Sequence, residues 1–162
     1  MVSELRVDKI HNEGGDNDSG IDLSTNDQIV LKTANTTRLT MNATGQTTIV
    51  GEGGSTTTSV QQGLAKHWIH HDDGATVRDS LNNSSLTDHA AGKHTNTFSN
   101  NFANIYYCYF GTVGPESYSS CQASENSTTP TTSAYRYGFP NHSNGTYYDN
   151  TYTMMATHGD LA

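Results

Sequence analysis

The sequence predicts a mostly β protein: short strands over residues 1–50, then a β-sandwich-like domain over residues 60–162. Three observations predict it. Hydrophobic residues are only 32% and charged residues 15%, while Thr, Ser, Asn and Gly make up 70 of the 162 residues. This excludes a large aliphatic core, yet the charge is too sparse for a disordered tail. Apolar and polar residues alternate over short runs, the period of half-buried strands. Turn residues (Gly, Asn, Asp) punctuate those runs.

Taken in order, residues 4–10 alternate around Leu5 and Val7. Residues 12–20 (NEGGDNDSG) form a turn-rich loop. Its Asp16, Asn17, Asp18 and Gly20 lack the spacing and closing Glu of a calcium loop, so a solvated turn is expected. Residues 28–32 place Ile29 and Leu31 inward, and residues 36–41 place Thr37, Leu39 and Met41 on one face. Asn42, Ala43, Thr44 and Gly45 turn the chain into residues 46–50, with Thr47 and Ile49. Short strands of this kind are marginal alone. A chain this poor in apolar surface usually recovers stability by association, here three copies closing their faces around one axis as a trimeric stalk. Residues 51–59 (GEGGSTTTS) read as a flexible linker, and residues 60–66 as one helical turn joining Val60 and Leu64.

The chain changes character at residues 63–85 (GLAKHWIHHDDGATVRDSLNNSS). The stretch holds the only Trp, Trp68, and three of the eight His; all four Phe and all nine Tyr follow it. Residues 65–71 alternate, with His67, Ile69 and His71 on one face and Trp68 and His70 on the other. Asp72-Asp73-Gly74 is hairpin-turn chemistry, and residues 75–80 return as a second strand. Trp68, large and bounded by a turn, is the expected structural anchor. Residues 85–88 and 94–98 form a hairpin about residues 89–92. The most β-prone run is residues 105–113 (IYYCYFGTV). Its apolar character on both faces predicts a central strand. Residues 122–133 are loop-like. Residues 134–139 and 151–157 are late strands, with a turn at residues 141–145 (NHSNG).

Gly63-Leu64-Ala65-Lys66, Trp68, Arg78-Asp79-Ser80, Asn82, Ser84-Ser85 and Thr87-Asp88 together resemble the C-terminal module of virion fibre proteins from marine and cyanobacterial tailed phages. Upstream, Arg38, Gly45, Ile49 and Gly51 are similar to units of trimeric fibre stalks. In this chain His67, His70 and His71 stand where the module has small or polar residues, and nothing after Tyr118 has a counterpart. The resemblance implies a homotrimeric virion structural protein, a tail fibre that attaches the particle to the host cell. Residues 1–50 would bind other virion proteins, and the distal domain a host surface glycan or protein. It implies location in the virion after synthesis in the host cytoplasm. A capsid fibre or decoration protein is the alternative with the same architecture.

Composition narrows the function classes. The net charge is −8, the pI about 5.3, and the basic residues are scattered, so no nucleic-acid partner is expected. No apolar window is long enough to span a membrane, and MVSELRVDKI is not a signal peptide. Cys108 and Cys121 are expected as free thiols. Nucleophile-elbow, zincin and P-loop motifs are absent, so neither an enzyme nor a cofactor is expected. A polysaccharide-cutting enzyme would need a carboxylate pair, and Asp72, Asp73, Asp79, Asp88, Glu116 and Glu125 form no recognisable one.

Two constellations remain. His67, His70 and His71 are the candidate metal ligands. One strand offers at most two of them to one ion, whereas a trimer axis would gather one from each chain. Half-exposed strand histidines without a metal are the expectation. Tyr118, Tyr135, Tyr137, Tyr147, Tyr148 and Tyr152 crowd the C-terminal region among Asn, Ser and Gly. That is the composition of recognition surfaces, and these six are the candidate receptor contacts. The competing reading makes them the strand core of a domain poor in aliphatic residues.

Overall fold

The computed structural model describes residues 5–12, 14, 18–51, 54, 56–72, 74–114, 128–141 and 143–162. It is mostly β, in several antiparallel sheets. The chain divides into two compact units, Met1–Gly63 and Leu64–Ala162.

In Met1–Gly63, six strands pair in chain order: β1 (Lys9–His11), β2 (Gly20–Asp22), β3 (Ile29–Thr33), β4 (Thr36–Met41), β5 (Thr47–Val50) and β6 (Thr57–Ser59). A helical turn, α1 (Val60–Gly63), follows. Turn chemistry sets the hairpins. Ala34 and Asn35 both take positive φ, 51° and 54°, the type I′ geometry whose twist matches the flanking strands. The Asn42 carboxamide oxygen accepts from the Thr44 and Gln46 amides at 3.2 and 3.0 Å, and Gly45 takes φ 77°.

Residues 51–59 are not a free linker. Thr57–Ser59 returns as β6 against β5. Gln61 then ties α1 to the same hairpin, its Oε1 accepting from the Thr47 amide at 3.0 Å and its Nε2 donating to the Gly45 carbonyl at 2.9 Å. The boundary between units therefore falls after Gly63, with the helical turn on the N-terminal side.

The register of this sheet sorts its faces. Ile10, Ile21, Leu31, Leu39 and Ile49 stand directly opposite one another across five strands. Paired residues in an antiparallel sheet share a face, so these five form one continuous apolar row. Ile29 and Met41, paired with each other, extend it. The other face carries Lys9, Asp22, Val30, Thr40 and Thr48. There Lys32, and then Ser24, hold the Asp22 carboxyl well below the usual carboxylate range. Among the described residues no second sheet covers either face. Ile29 and Leu31, expected inward, are exposed, and Val30 is the one buried hydrophobic residue of this unit, at 8% exposure.

Leu64–Ala162 has two sheets. β7 (His67–His71), β8 (Val77–Leu81), β11 (Cys108–Gly114) and β13 (Tyr152–His158) form one, in the order β11-β13-β7-β8. β9 (Asn83–Ala90), β10 (Lys93–Phe98) and β12 (Ala134–Gly138) form the other, in the order β12-β10-β9. Thus β11 is an edge strand, not the central strand expected from its composition, because the C-terminal β13 inserts between it and β7. The turn after β7 also departs from expectation: Ala75, at φ 56°, takes the left-handed position, and the Asp72 carboxylate caps the Thr76 amide at 2.8 Å.

The inner faces of the two sheets share one core of Ile69, Phe98, Phe102, Tyr107, Tyr135, Tyr137, Phe139 and Met155. Six of the eight are aromatic, which is how a chain short of aliphatic residues fills a core. His67 meets Phe98 and Tyr135 edge-on across the layers, with centroids 5.1 and 5.7 Å apart. The chain crosses between sheets at Asn82, φ 57°. The Asn82 side chain accepts from the Asn100 amide at 2.6 Å and donates to the Asn100 carbonyl at 3.1 Å. Ser84 Oγ donates to the Thr97 and Phe98 carbonyls, at 3.0 and 3.1 Å. Two residues of the resemblance, Asn82 and Ser84, therefore build a corner. Gly111 lies opposite Met155, and a Cβ there would strike the Met155 sulfur and the Met154 carbonyl.

Candidate functional site

The six candidate tyrosines do not form one surface. Tyr135 and Tyr137 are 1% and 0% exposed, so neither can touch a receptor. Both alternate inward on β12, and their hydroxyls are satisfied inside. Asn96 Nδ2 donates to Tyr135 Oη at 2.9 Å, and Tyr137 Oη lies 2.6 Å from His71 Nε2. Burial pushes both phenols well above their ordinary range. The competing sequence reading, strand core, describes these two. Tyr118 lies outside the described residues, as does Cys121. Cys108 is exposed as a free thiol.

Tyr147, Tyr148 and Tyr152 remain. Tyr147 is half-buried, packed against Gly138 with the Lys93 ammonium 4.3 Å from its ring centroid. The adjacent Tyr148 is exposed, and its backbone presses on Gly92, whose φ of 64° closes the β9–β10 hairpin. Tyr152 is exposed at the start of β13, with the Arg78 guanidinium 4.4 Å from its ring centroid and the His70 ring 5.8 Å away.

The histidines follow the predicted alternation but not the predicted exposure. His67 and His71 are fully buried on the inner face of β7. His67 Nδ1 lies 3.2 Å from Thr157 Oγ1. His71 uses both nitrogens, Nδ1 toward the Asp72 carbonyl at 2.7 Å and Nε2 toward Tyr137. Neither can reach an axis shared between copies. His70 is half-buried on the outer face. The described residues contain no group of three or more His, Cys, Asp or Glu placed to hold a metal ion.

Trp68 is on that outer face as well, half-buried and outside the core. The inner anchors of β7 are His67, Ile69 and His71. Around Trp68 the outer face of the four-stranded sheet forms a shallow apolar concavity of about 350 Å³ with His70, Phe110, Thr112, Met154 and Ala156. Phe110 and Met154 are exposed. This surface was missed from the sequence. Its signal was present in the second face of residues 105–113, Tyr106, Cys108, Phe110 and Thr112, whose large members suggested burial on both sides.

No helix among the described residues is long and apolar enough to cross a membrane. The chain matches no protein-family model, no curated protein and no solved structure.

Proposed function

We propose that this chain is a virion structural protein, a homotrimeric tail fibre that attaches the particle to its host by adhesion rather than catalysis. The observation that carries the reading is the row Ile10, Ile21, Leu31, Leu39 and Ile49 across a single-layer sheet. A row of large apolar residues on an uncovered sheet face marks an association surface. The opposite face, with Lys9, Asp22 and Lys32, is suited to water. Three copies turning their apolar faces to a common axis would bury the row and leave the charged face outside. That arrangement agrees with the resemblance of residues 63–88 to phage fibre modules. In this reading Met1–Gly63 is the stalk and contacts other virion proteins, and Leu64–Ala162 is the distal, sandwich-like domain.

Host contact then falls to exposed aromatics of the distal domain, and among the six candidates Tyr148 and Tyr152 fit best. Each is a large stiff ring with a polar tip, suited to a surface glycan or protein. Three copies per fibre make weak contacts additive, so single-site affinities near ~1 mM suffice for avidity. Virions carrying Tyr148→Ser or Tyr152→Ser should assemble normally, and at least one variant should adsorb to host cells roughly tenfold less well, the equivalent of ~1.4 kcal/mol per contact. Normal adsorption by both assembled variants would remove these residues from the receptor surface.

A further inference from the structure

We propose that Leu64–Ala162 carries an acid-sensitive core, in which His71 and His94 hold the two sheets together while neutral and drive them apart on protonation. The two rings come from opposite layers, His71 from β7 and His94 from β10, with centroids 4.6 Å apart. They are 0% and 2% exposed. A charge on either would act across the seam that closes the domain, with little water to screen it.

The hydrogen bonds of His71 select its neutral form. The Asp72 carbonyl can only accept, so His71 Nδ1 carries the hydrogen and donates at 2.7 Å. Nε2 is then a lone pair accepting from the Tyr137 hydroxyl at 2.6 Å. A proton added at Nε2 turns that acceptor into a donor and forces the buried Tyr137 hydroxyl to give up its bond. His67, on the same face of β7, repeats the arrangement: Nδ1 meets Thr157 Oγ1, and Nε2 and Asn83 Oδ1 are both buried without a hydrogen-bond partner.

The surrounding groups do not supply a buried counter-charge among the described residues. The Asp72 carboxyl follows β7 and favours the cation weakly, while His94 and, on the opposite face of β7, His70 disfavour it. From β9, Asp88 stands opposite His94 but is exposed. From β12, Tyr137 faces both rings, and β13 offers Thr153 opposite His71. From β8, Val77 pairs with His71. Burial, the largest cause, brings His71 down to about 4, and burial likewise brings His67 to about 4. An unfolded histidine takes up its proton near 6.5. Above that pH neither state is protonated, and folding keeps its full advantage. As pH falls from about 6.5 to about 4 the unfolded chain binds protons that the folded one refuses, so stability is lost; below about 4 the loss is complete. Each such imidazole lowers the folding equilibrium constant by a few hundred-fold, in order of magnitude.

The test is a pH titration of the full chain by near-ultraviolet circular dichroism, which reads the packed tyrosines. The wild type should lose the signal between pH 6 and 4 and recover it on neutralisation. His71→Gln and His94→Gln should each move the midpoint at least half a pH unit lower, whereas His89→Gln, at an exposed position, should leave it in place. A wild-type signal unchanged to pH 3.5, or one midpoint for all four proteins, overturns the proposal. If the core variants do not fold at neutral pH, imidazole NMR of the wild type decides. His71 and His94 resonances that stay neutral until the fold is lost support the proposal; titration near 6.5 with the folded spectrum intact overturns it.

Discussion

Replacing Leu31 by Asp is expected to leave the protein as single chains. Leu31 sits at the middle of the apolar row, with Ile21 on one side and Leu39 on the other. In the isolated chain it is exposed, so a carboxylate there stays in water, and surface changes of this kind usually fall within about 0.5 kcal/mol. At an axis between copies, the same carboxylate would lose its water without gaining a partner. Three would do so together, each at a cost of several kcal/mol. The variant should therefore keep its circular dichroism spectrum and lose its assembly. Thr40→Asp, on the opposite face, is the matched control and should assemble as the wild type does. Equal masses for the two variants would mean that the row is not the contact between copies.

Tyr135→Ala should destabilise Leu64–Ala162 more than any change on its outer face. Tyr135 touches Phe98, Tyr107, Tyr109 and Tyr137 with centroids 4.6–6.3 Å away. Truncating a buried aromatic typically costs about 3–5 kcal/mol. Leaving the Asn96 carboxamide without Tyr135 Oη adds about 1–3 kcal/mol. For a domain of this size the melting temperature should fall by at least about 15 °C. Trp68→Ala, despite the larger side chain, should cost less, because Trp68 is half-buried on the outer face. Calorimetry of the two variants checks the order. A greater loss for Trp68→Ala would restore Trp68 as the anchor of the domain.

The sequence revealed where the strands lie far better than which way they face. Alternation and turn residues locate β3, β4, β5, β10 and β12 to within a residue or two, because both signals are local. Facing depends on what covers a strand. Ile29 and Leu31 look like inward residues, but a single-layer sheet has no inside until something binds it. Trp68 looks like an anchor by size, yet the second sheet covers the other side of β7. Its neighbours His67 and His71 look like surface or ligand residues, and are buried because Thr157, Asp72 and Tyr137 satisfy their nitrogens. Tyr135 and Tyr137 share the composition of a binding loop, but aromatic residues in this chain must also supply the core. The edge position of β11 was invisible because it depends on β13, which arrives from the far end of the chain. Residues 51–59 read as a linker by glycine content, although the β-branched Thr57 and Thr58 suit the strand they form.

The most direct measurement of the central reading is the mass of the purified chain in solution, by light scattering at micromolar concentration. The trimer reading predicts about three times the 17.5 kDa of one chain. A folded species at the mass of a single chain would contradict it, since the row from Ile10 to Ile49 would then be stable in water without a partner.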